Sequence, residues 1–169
     1  MGRKNEMQPF DIEAVAEFIR NTSDETIIYL GADSERIRVD DVWYADFTLA
    51  IVCHIDGNKG CKVFGDIQRE RDYDKKLSRP SNRLMTEVYK ISELYQKLMP
   101  VLEDKLVEIH LDINPNEMHG SSCVISQAIG YIKGTCNMTP KVKPEAFAAT
   151  YTADRLKFVL DHSKTEETA

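Results

Sequence analysis

The stretch Ile27-Ile-Tyr-Leu-Gly-Ala-Asp-Ser34 constrains this chain more than any other, because it ends an apolar run with a carboxylate. Ile27, Ile28, Tyr29 and Leu30 are side chains that a buried strand favours. Gly31 and Ala32 then thin the surface, and Asp33 arrives before any turn signal. An aspartate inside a core strand is expensive to desolvate unless a partner or a metal neutralises it. Three later segments likewise set one acid in an otherwise apolar face. The pattern predicts that these acids meet around divalent cations.

Taken in order, residues 9–21 read as a helix with Ile12, Val15, Ala16 and Ile19 on one stripe. The opening strand follows, ending near Asp33, and residues 35–41 are polar and expected to turn. Residues 42–54 form a second strand, Asp56-Gly-Asn-Lys-Gly60 is a hairpin signal, and residues 61–67 return as a third. Residues 68–81 are charged and irregular. A helix is expected over residues 83–99, closed by Pro100, then a fourth strand over residues 106–113. Ser121 or Ser122 is placed to cap a helix carrying Val124, Ile125, Ala128, Ile129 and Ile132, with Gly134 as its stop. Residues 136–142 read as a short fifth strand, residues 145–160 as the last helix, and residues 162–169 as a polar tail. The order predicts an α/β fold: one five-stranded mixed sheet with flanking helices and an extra N-terminal helix. The whole chain, residues 1–169, reads as one domain with its core over about 10–160.

Glu87 falls on the apolar stripe of its helix with Leu84, Val88, Ile91, Leu94 and Leu98. Asp154 falls on the face made by Phe147, Thr150, Tyr151 and Phe158. On the fourth strand, Val107, Ile109, Leu111 and Ile113 alternate, so Asp112 faces the other way with Glu108 and His110. Singly, each acid also has a structural reading. Asp33 would cap a turn, Glu87 pair with Arg83, Asp112 form an Asx-turn with Asn114, and Asp154 sit at the surface beside Arg155. Jointly they need a cation, since converging carboxylates raise one another's pKa. Mg²⁺ or Mn²⁺ suits such oxygen ligands.

A strand with Asp, a three-stranded opening, a helix with Glu, a strand with Asp and a last helix with Asp resembles the ribonuclease H-like fold. More narrowly, Gly31-Ala-Asp-Ser34, Arg83-Leu-Met-Thr-Glu87, His110-Leu-Asp-Ile-Asn114, Gly130-Tyr-Ile-Lys-Gly134 and Lys143-Pro-Glu-Ala-Phe-Ala-Ala149 with Ala153-Asp154 are similar to the YkuK-type ribonuclease H-like proteins. The resemblance implies that Asp33, Glu87, Asp112 and Asp154 are both the metal ligands and the catalytic acids. It implies two Mg²⁺ or Mn²⁺ ions about 4 Å apart hydrolysing nucleic-acid phosphodiesters. The chain departs from familiar ribonuclease H enzymes in having no histidine over residues 137–147. His119 either approaches the site or is a solvent-exposed loop histidine. No aromatic platform for RNA–DNA hybrids is evident, so hybrid specificity is not supported.

The formal net charge of −6 opposes non-specific nucleic-acid binding by the whole surface. Residues 69–83 and 133–157 are each locally +3, however, and Arg79, Arg83, Lys141 and Lys143 are candidate phosphate contacts beside their reading as ordinary surface charges. The alternative function is a non-catalytic nucleic-acid- or protein-binding module, for which the acidic balance favours a protein partner. No apolar run reaches the roughly 18 residues of a membrane span, and no signal peptide is read. Cys53, Cys61, Cys123 and Cys136 lack CxxC spacing and are expected as reduced thiols in a cytoplasmic protein. An actin-like ATPase would need two copies of the fold and glycine-rich phosphate loops.

Overall fold

The structure, a computed structural model, describes residues 10–75, 79–116 and 120–148. Its centre is a long hairpin in which β1 (Ile27–Val39) and β2 (Val42–His54) pair antiparallel along their whole length. The turn is Asp40-Asp41, with φ of 49° and 63°. Left-handed backbone at both turn positions matches the twist of the flanking strands, and aspartate tolerates it better than most residues. The first strand therefore does not end near Asp33, and residues 35–39 are strand rather than turn. Their polarity has a different cause. This end of the hairpin projects beyond β4, and Arg36 lies 4.3 Å from the Trp43 ring centre while pairing with Asp72 at 2.7 Å.

β3 (Cys61–Arg71) pairs antiparallel with β2, running past the expected stop at Ile67. β4 (Leu106–Leu111) lies parallel to the first half of β1 and pairs with Ile27 through Ala32. The described sheet is thus four-stranded and mixed, in the order β3-β2-β1-β4. The expected fifth strand is reduced to one parallel bridge between Lys141 and His110. The extended stretch is short, because α3 gives way only at Asn137 and the chain turns again after Val142, whose O accepts from Glu145 N and Ala146 N.

Three helices are described. α1 (Ile12–Arg20) opens with the Asp11 carboxylate accepting from Ala14 N at 3.1 Å, and buries Val15 and Ile19. α2 (Ser81–Leu102) buries Leu84, Val88, Ile91, Leu94 and Leu98, and runs on through Pro100 instead of closing there. A proline this late removes only one N–H from the final turns. α3 (Ile125–Cys136) follows a 3-10 turn over Gly120–Val124, has no side-chain cap, and ends at a left-handed Asn137 rather than at Gly134. α1 and α2 enclose Ile28, Leu30, Ala32, Leu49 and Ile51 in one core, and α3 packs on α2. Of the expected last helix only Ala148 is described as helical; the rest lies outside the described residues. All four cysteines are free, and no described helix is long and apolar enough to cross a membrane.

Candidate functional site

Strand alternation puts Ser34 on the helix-covered face of the sheet with Ala32, and Asp33 on the opposite face. The parallel register pairs Ala32 with Leu111, where β4 ends. The next residues on the two strands are Asp33 and Asp112, so the register itself sets two acids side by side. Their carboxyls are within hydrogen-bonding reach, and burial followed by the charge of Asp112 pushes Asp33 up to about 6. Lys143 places its Nζ 2.7 Å from Asp112 Oδ1.

Glu87 comes from α2, on the other side of β1, and only 3% of its surface is exposed. Burial raises its pKa well above the usual carboxylate range, against the opposing effect of a hydrogen bond from the Ser34 hydroxyl. The neighbouring charges of Asp33 and Asp112 push the same way as burial. Arg83, one turn earlier on α2, donates from Nη1 to Ser34 O at 2.9 Å and Ser34 Oγ at 2.7 Å. Its Nε is buried without a hydrogen-bond partner among the described residues. Ser34 thus fastens an acid and a base of α2 to the strand that carries Asp33. Sequence reasoning passed over this serine; its only signal was its place beside Asp33 on the opposite face.

Asp33 and Asp112 meet, Glu87 lies within their field, and Asp154 lies outside the described residues. Among the described residues no three His, Cys, Asp or Glu side chains are grouped to hold a metal ion by themselves. The donor set nevertheless fits a hard divalent cation. Two carboxyls pressed together, with a third acid nearby, supply only oxygen ligands and carry the repulsion that a cation relieves. Of the basic candidates, Arg79 lines an open cavity of about 360 Å³ with Asp74, Lys75, Ser81 and Cys123. Lys141 pairs with Glu108 at 2.9 Å.

His110, one alternation before Asp112, is 2% exposed. Its Nδ1 accepts from Phe147 N at 3.1 Å and Ala148 N at 3.3 Å, which leaves the ring proton on Nε2 for Glu108 at 3.0 Å. The ring also lies 4.5 Å from Phe147 and 5.2 Å from Tyr29, centre to centre. His110 therefore docks the segment after Lys143 onto β4, a role hidden in the sequence because its partners are 37 and 38 residues away. His119, the histidine the sequence brought forward, lies outside the described residues.

A family model described as ribonuclease H-like matches residues 11–157, a span that includes all four acids. No curated protein and no solved structure matches the chain. A match over most of the sequence, on a mixed sheet that brings Asp33 beside Asp112, places the chain: it belongs to the ribonuclease H-like family.

Proposed function

We propose that this protein is a divalent-metal-dependent nuclease that hydrolyses phosphodiester bonds of RNA or DNA. The observation that carries the reading is the meeting of Asp33 and Asp112 at the end of β4, in a chain of this family. Asp33, Asp112 and Glu87 would hold Mg²⁺ or Mn²⁺, with Asp154 as the fourth ligand. A bound divalent ion supplies Lewis-acid polarisation of the phosphoryl group and charge for the departing oxygen. The chain's own residues do the rest. Ser34 holds Glu87 in place, and Arg83, anchored on Ser34, sets a positive charge beside the acids. Arg79 and Lys141 stand farther out as backbone contacts, and Lys141 would have to leave Glu108 to serve. Free thiols suit a reducing compartment such as the cytoplasm.

Cleavage of single-stranded and structured RNA and DNA, with and without Mg²⁺ or Mn²⁺, tests the reading. Asp33→Asn and Asp112→Asn should each lower metal-dependent cleavage by about 100-fold or more, the worth of several kcal/mol of transition-state charge stabilisation. Unchanged cleavage in both variants would assign the activity to a contaminant. The second reading is a non-catalytic module that captures nucleic acid or protein. It is favoured by the formal net charge of −6, which suits a protein partner, and its signature is binding without turnover.

A further inference from the structure

Lys143 is fixed where it stands. Lys141 N donates to Ile109 O at 2.8 Å, Leu111 N to Lys141 O at 2.8 Å, and Lys143 N to Ile113 O at 3.0 Å. The backbone on both sides of Asp112 is therefore tied to the backbone that carries the lysine. The ammonium consequently meets Asp112 Oδ1 at 2.7 Å as part of the fold, although the lysine side chain remains 45% exposed. The charges of Asp33 and Glu87 also act on it.

The positive charges already seated here decide how many ions the acids can accept. Lys143 pairs with Asp112, while the charge of Arg83, hydrogen-bonded to the Ser34 hydroxyl that donates to Glu87, acts on Glu87. Two dications close together repel strongly, and every carboxylate already neutralised weakens the case for the second. A lysine ammonium is a compact point charge with three donors, able to stand in for a cation and still meet a phosphate oxygen.

We propose that the Lys143 ammonium fills the place of a second divalent ion, so that the site takes one Mg²⁺ or Mn²⁺ per chain instead of two. This rests on the nuclease reading, which supplies the first ion. The lysine then acts from the fold, present before substrate or metal arrives.

The test counts Mn²⁺ bound per chain, by calorimetric titration and by the paramagnetic resonance of free Mn²⁺, with the full-length protein at neutral pH and low salt. Wild type, Lys143→Arg and Lys141→Gln should bind one ion, and Lys143→Gln two. Lys141→Gln removes an equal charge from the same loop, so it separates a local effect of Lys143 from a general gain in affinity. A Mn²⁺-soaked crystal of the wild type gives a measurement that needs no variant. It should show one ion, with Lys143 still on Asp112. Two ions in the wild type, or one in Lys143→Gln, overturns the inference and leaves the metal site standing. No ion in any of the four proteins overturns both.

Discussion

Asp33 makes the metal-free fold sensitive to pH in one direction. Its carboxyl sits at about 6 in the folded chain, above the ordinary aspartate value of 3.8. The unfolded chain therefore loses this proton first. Stability from this group is fully present below the ordinary value and declines as pH rises through about 6. His110 acts oppositely, because burial lowers its pKa and protonation would set an N–H against two backbone donors. Its contribution is intact above the ordinary histidine range and declines as pH falls below it. Asp33→Asn mimics the protonated carboxyl. In metal-free buffer at pH 8 it should raise Tm by about 2–4 °C, what ~1 kcal/mol is worth at this chain length. Calorimetry at pH 5 and pH 8 checks it: the gain should shrink at pH 5. Ser34→Ala leaves Glu87 without its donor and takes one of two Ser34 acceptors from Arg83, and should cost about 1–3 kcal/mol by urea denaturation.

At the scale of elements, α2 is both the largest contributor to the core and the carrier of Glu87. Its first turn is capped from a distance, since Pro80 offers no side-chain acceptor. The Asp74 carboxylate accepts from Asn82 N at 2.9 Å and Arg83 N at 2.8 Å instead. Asp74→Ala should cost about 0.5–2 kcal/mol, read as a lower denaturation midpoint at unchanged slope. The apolar stripe of α2 was legible in the sequence, and so was the place of Glu87 on it, because both follow from a single period. The end of β1 was not. Glu35, Arg36 and Arg38 look like a turn until the hairpin is seen to run past β4. The fifth strand misled for the opposite reason, since its apolar residues invited a ladder, but the chain turns after Val142 and only Lys141 bridges to β4. Ser34 and His110 stayed hidden because their importance lies in partners 37 to 53 residues away.

For the whole molecule, an ion that binds only the folded chain stabilises it by mass action, by about 2.7 kcal/mol at a hundredfold excess over Kd. Protons compete for the same carboxyl oxygens. Millimolar Mg²⁺ should therefore raise Tm more at pH 8 than at pH 5.5, and Asp112→Asn should abolish the difference; thermal melts at the two pH values check both. The mixed sheet and its first three strands were readable from alternation and hairpin signals, but no local pattern reveals that parallel pairing would bring Asp33 level with Asp112. That alignment has a further consequence. β1 runs to Val39 while β4 stops at Leu111, opposite Ala32. The later half of β1 thus has no strand paired on that flank among the described residues, and the acids stand at the corner of the resulting notch. On the nuclease reading proposed above, these mismatched strand lengths would provide the doorway. On that reading, residues beyond Ile113 can change in length or chemistry, and with them whatever is admitted, while the stretch that aligns the two acids stays as it is.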